Sequence, residues 1–135
     1  MRRTIITLGL FALLAAAAAC GGGEHKPIKS GKVGALDVTL AGEGGVLRNG
    51  DQELTVTFAD ASGKPADVGA AALNFHMPAM GTMPVMNDAA QLTTTSTPGV
   101  YRARVKLQMA GEWQAQISYE GPAGAGKGSF AVTAQ

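Results

Sequence analysis

Tyr101-Arg102-Ala103-Arg104-Val105-Lys106-Leu107-Gln108-Met109 alternates without a break. Tyr101, Ala103, Val105, Leu107 and Met109 face one way, and Arg102, Arg104, Lys106 and Gln108 the other. That period of two suits a strand with one face on a core and one in water. The three cations fall on alternate positions and read as a solvated face. The same period recurs on both sides of this stretch. Leu36, Val38 and Leu40 form one set, and Leu54, Val56 and Phe58 alternate with Glu53, Thr55 and Thr57. Leu73, Phe75 and Met77 oppose Asn74 and His76, a short strand follows over Leu92 to Thr95, and Trp113, Ala115, Ile117 and Tyr119 precede Phe130 and Val132. Turn chemistry separates them: Asn49-Gly50-Asp51, Ala61-Ser62-Gly63-Lys64-Pro65, Thr97-Pro98-Gly99 and Ala110-Gly111-Glu112, with a glycine-rich connection over residues 121–128. About seven short antiparallel strands with turns every ~8–12 residues predict an all-β chain folded as an immunoglobulin-like β-sandwich. Trp113 reads as its large core aromatic.

The 135 residues allow one domain, and 46% hydrophobic with 16% charged residues is ordinary for a folded chain once the apolar N-terminus is set aside. That N-terminus has Arg2 and Arg3, the apolar run 5–14, five alanines and Cys20, the layout of an export signal too short to span a bilayer comfortably. Ala17-Ala18-Ala19-Cys20 is similar to a bacterial lipobox, although alanine stands at position 17 where leucine is usual. Residues 1–19 are therefore expected to be a lipoprotein signal peptide, with Cys20 the lipidated residue. Residues 20–32 read as the lipidated cysteine and a flexible tether, with His25 a solvated linker side chain, and residues 33–135 as the folded domain. Cys20 is the single cysteine, so no intramolecular disulfide can form. Without Arg2 and Arg3 the 11 basic residues fall to nine against ten acidic ones, which gives no reason to expect a nucleic-acid partner.

Four of the six methionines lie in His76-Met77-Pro78-Ala79-Met80-Gly81-Thr82-Met83-Pro84-Val85-Met86, at every third position. One methionine alone is usually packing, and Met77 and Met109 both fall on core faces. Pro78, Pro84 and Gly81, however, disfavour a regular buried strand here. A thioether is a soft, neutral ligand that selects Cu(I) and needs no deprotonation, so several can gather without charge repulsion. Imidazole also suits copper. The stretch predicts a soft-metal site for Cu(I) or Ag(I).

Geometry orders the candidates. In polyproline II, three residues per turn would put all four methionines on one side, with successive Cα atoms roughly 9 Å apart, too far for three to share an ion. A bend is needed, and Gly81-Thr82 fits a two-residue type II′ turn that sets Met80 opposite Met83 and Met77 opposite Met86. Pro78 would fall where the ladder needs a donor, which predicts a turn inside an irregular loop. Met80 and Met83 are the foremost ligands, Met86 and His76 come next, and Met77 last.

From about Leu36 to the C-terminus the chain resembles the YtkA-like and FixH-like domains of bacterial envelope proteins. The resemblance rests, in order, on Asp60-Ala61-Ser62-Gly63-Lys64-Pro65, on Met77-Pro78-Ala79-Met80-Gly81 after a strand, on Pro98-Gly99-Val100-Tyr101 and on Gly111-Glu112-Trp113. It implies an immunoglobulin-like sandwich, often lipid-anchored, with links to copper handling or respiratory oxidase maturation. Family patterns often carry a histidine soon after the second methionine. Thr82 and Met83 stand there instead, so a thioether site, with or without His76, would replace the usual mixture.

Two functions follow as expectations. One is an envelope lipoprotein facing the periplasm, on the outer membrane in a Gram-negative host, that holds Cu(I) as a chaperone or buffer and passes it to a partner. The other is a metal-free interaction module whose methionine loop docks a membrane protein. An enzyme is not expected, because no nucleophile and base pair up and the acidic residues form no catalytic pair.

Overall fold

The computed structural model describes residues 25–122 and 124–135, so the expected signal segment 1–19 and Cys20 lie outside the described residues. Nine strands are described: β1 (His25–Val33), β2 (Leu36–Glu43), β3 (Gly50–Ala59), β4 (Ala70–Met77), β5 (Met86–Ala89), β6 (Gln91–Thr94), β7 (Val100–Leu107), β8 (Gly111–Gly121) and β9 (Gly124–Ala134). They form two antiparallel sheets, ordered β1-β2-β3-β7-β6 and β5-β4-β8-β9. Leaving out β1, this order is that of an immunoglobulin sandwich with one extra strand in its second sheet. The all-β sandwich expected from the alternation is thus the fold.

Alternation is what builds it. In β2, β3, β4, β7 and β8 every second side chain turns inward, and the inward sets of both sheets fuse into one core around Trp113, Phe58 and Phe75. Phe58 of the first sheet stacks edge-on against Tyr101 beside it (5.6 Å, 84°) and against Tyr119 across the sandwich (5.7 Å, 71°). Such pairs add about 0.5–1.5 kcal/mol beyond area burial. Trp113 is fully buried, and its indole N–H donates to the Met109 carbonyl at 3.1 Å, which fixes the β7–β8 turn.

Three stretches differ from the sequence expectation. Residues 25–32, read as the end of a tether, form β1, paired with β2 from His25↔Glu43 to Val33↔Leu36. It is an edge strand, so Pro27 needs no ladder partner for its missing N–H. His25 is accordingly not a loose linker side chain: its Nδ1 lies 2.7 Å from the Thr55 hydroxyl. Most of the glycine-rich connection is strand β9, and its glycines answer to steric need. A Cβ on Gly126 would come within 2.8 Å of the Tyr119 ring, and one on Gly128 within 3.2 Å of Val33. Finally, the β2–β3 turn falls on Gly44 and Gly45 rather than at Asn49, because both glycines adopt positive φ and Gly45 N–H closes on the Gly42 carbonyl.

Candidate soft-metal site

The β4–β5 hairpin carries the whole methionine stretch. Asn74↔Ala89, Phe75↔Asp88, His76↔Asn87 and Met77↔Met86 pair in register, and Met80↔Met83 continues the same register beyond a gap. The gap holds Pro78 and Pro84, which cannot donate to a ladder. At the tip Met80 N–H donates to the Met83 carbonyl (3.1 Å) and Met83 N–H to the Met80 carbonyl (2.8 Å). Gly81 has φ +57° and no non-glycine residue among those described has positive φ, as a two-residue turn with glycine first requires.

Register also sorts the thioethers. Met77 points into the core and is 4% exposed. Met86, its partner, is half-buried against the same core. Met80 and Met83 are 62% and 37% exposed. The two pairs are three residues apart along the hairpin, about 10 Å at strand spacing. The fold therefore separates an inner methionine pair that packs from an outer pair that water reaches, and four thioethers do not meet on one ion in this arrangement. Two thioethers at Met80 and Met83 suit one soft cation.

His76 lies on the outer face, half-buried, four residues before Met80. Its Nδ1 is 2.9 Å from Asn87 Oδ1. That oxygen also accepts from Asn74 Nδ2 at 3.2 Å, while Asn74 Nδ2 donates to Gln116 Oε1 at 3.0 Å. An oxygen that already accepts one N–H draws the imidazole proton onto Nδ1, which leaves Nε2 with the lone pair that can ligate. Asn87 carries no chemical mark of its own in the sequence, yet a hairpin centred on Gly81-Thr82 already places it opposite His76. Asn74 and Gln116 carried no such mark, since the β4–β8 register Asn74↔Gln116 joins residues 42 apart. Among the described residues no three His, Cys, Asp or Glu side chains gather into a metal-binding group, so thioether and imidazole are the donors this hairpin offers.

A small immunoglobulin-like sandwich bearing an exposed methionine hairpin at one end is the class of protein that fold and site define. The chain belongs to the YtkA-like family, whose model matches residues 31–118, most of both sheets and the entire hairpin. No curated protein and no solved structure matches it significantly.

Proposed function

We propose that this protein is a lipid-anchored envelope protein that binds Cu(I), or Ag(I), on the methionine hairpin and serves as a copper chaperone or buffer, for oxidase maturation or copper tolerance. The observation that carries this reading is the pairing of Met80 with Met83 across a closed turn, with both side chains open to water. A preformed turn helps because ordering a free loop costs roughly 1 kcal/mol or more per residue, and Pro78 and Pro84 narrow the unbound ensemble further. Met80 and Met83 are the primary ligands. His76 Nε2 and Met86 are the candidates to complete the shell, each requiring the segment at the prolines to fold back, and Met77 is packing. A site of this softness holds Cu(I) for transfer rather than cycling it, in keeping with a protein that is not an enzyme.

The test is titration of Cu(I) against a competing chelator into the chain lacking residues 1–20, beside a Met80→Leu/Met83→Leu/Met86→Leu variant. Stoichiometric binding by the parent alone is the expected result. No binding by the parent at micromolar metal would sink the reading. A docking module is the second reading, favoured by one observation: Met80, Met83 and Val85 are the large hydrophobic side chains exposed among the described residues, and all three share the hairpin.

A further inference from the structure

The hairpin and the start of the folded domain occupy the same end of the sandwich. His25 opens β1 opposite Glu43, the last residue of β2. The β2–β3 connection leads from there to Gly50, which pairs with Leu107 at the end of β7. Gly111 then opens β8, and Gln114 pairs with His76 where β4 runs out into the methionine turn. The opposite end carries the 34–35 turn and the 60–69 loop.

Cys20 stands five residues before His25. Whatever their conformation, those residues span at most about 18 Å. β1 runs on from His25 for eight more residues to Val33, about 26 Å at strand spacing. A lipid on Cys20 therefore cannot reach the far end of the molecule; even fully extended it stops about 8 Å short of that end, on the hairpin side. The surface there fits a bilayer. Residues 77–87 contain no Asp, Glu, Lys or Arg, and their outward side chains include Met80, Met83 and Val85, at 62%, 37% and 50% exposure. Apolar side chains on an uncharged projecting turn are suited to the boundary between headgroups and acyl chains.

We propose that the methionine hairpin seats its tip in the phospholipid interface of the same membrane that holds the chain's lipid anchor. This rests on the lipoprotein reading of Cys20 and is independent of copper. The hairpin then presents its outer thioethers at membrane level, where a membrane-embedded partner is met without release of the anchor.

The mature, lipidated chain is tested in phosphatidylcholine vesicles with brominated acyl chains, under a copper chelator. Lipidation occupies the Cys20 thiol, so a Val85→Cys or an Ala61→Cys substitution supplies the only thiol for an environment-sensitive fluorophore. Ala61 is exposed in the loop at the far end. The expected result is that the chain floats with the vesicles and the Val85 label is blue-shifted and quenched several-fold more than the Ala61 label. Flotation with both labels equally unquenched would overturn the proposal and leave the anchor intact. A blue shift that grows with protein density but lacks bromolipid quenching would mean that a second copy covers the hairpin, and would overturn it too. Failure to float would remove the anchor and this inference together, leaving the Cu(I) titration to judge the copper reading.

Discussion

The terminal methyl of Met77 abuts Gly111 so closely that a Cβ at Gly111 would stand 3.2 Å from it. This contact joins the base of the methionine hairpin to the start of β8 and explains why the innermost methionine is core. It also separates packing from ligation by experiment. Met77→Ala should cost about 2–5 kcal/mol, the range for truncating a buried methionine, whereas Met77→Leu, which nearly conserves volume, should cost under about 1.5 kcal/mol. Cu(I) affinity of Met77→Leu should match that of the parent. Urea denaturation and a chelator competition read the two quantities, and a tenfold loss of affinity in Met77→Leu would make Met77 a ligand after all.

Gly81 is the residue on which the outer pair turns. A Cβ there would touch nothing within 4 Å, yet the backbone has φ +57°, where an L side chain is strained. Gly81→Ala should therefore act on the turn alone, by about 1 kcal/mol. Global stability should change little, because fraying the tip leaves both sheets intact. Cu(I) affinity should fall about fivefold, that same energy read as a binding constant. An unchanged affinity would show that the closed turn does not set the distance between Met80 and Met83.

The architecture was legible wherever one face is buried and the other wet, because alternation is then forced on the sequence; Tyr101 to Leu107 and Trp113 to Tyr119 are the clearest cases. It was not legible at β1, an edge strand in which Val33 alone is fully buried, nor at β9, where Tyr119 and Val33 demand glycine and so erase the apolar pattern. β5 was hidden for another reason: four residues of edge strand, Met86–Ala89, are too few to display a period. In the hairpin, turn chemistry alone gave the Met80 to Met83 and Met77 to Met86 pairings. Depth came instead from alternation, which sets Met77 on the core face with Leu73 and Phe75, as its burial shows.

His76 and Asn87 make a prediction about one proton. With Asn87 Oδ1 accepting from Nδ1, the metal-free imidazole should be the Nδ1–H tautomer, visible in its ring nitrogen shifts. Asn87→Ala removes the acceptor and should move the population toward Nε2–H while leaving the fold unaltered, because Asn87 is exposed. If His76 completes the copper shell, the same variant should also weaken Cu(I) binding by about 10–100-fold, the usual effect of losing a partner that orients a ligand. A tautomer shift without loss of affinity would leave the ion to the thioethers alone.

Asp60 sets the acid limit of the far loop. Its carboxylate accepts from the Ser62 hydroxyl at 2.5 Å, the Ser62 N–H at 2.9 Å and the Lys64 N–H at 3.2 Å. These bonds, the Ser62 hydroxyl foremost and the Lys64 amide next, hold its pKa below the ordinary 3.8. Because the folded value is the lower one, the ionised group favours the folded state above pH 3.8, and the contribution is lost as pH falls through the native value. The carboxyl is open to solvent, so the effect is small. Asp60→Asn should lower the urea midpoint by a constant amount above about pH 5, and the gap to the parent should close as pH drops toward about 2. A gap that stays constant over the whole range would mean that the loop relies on the shape of residue 60 and not on its charge.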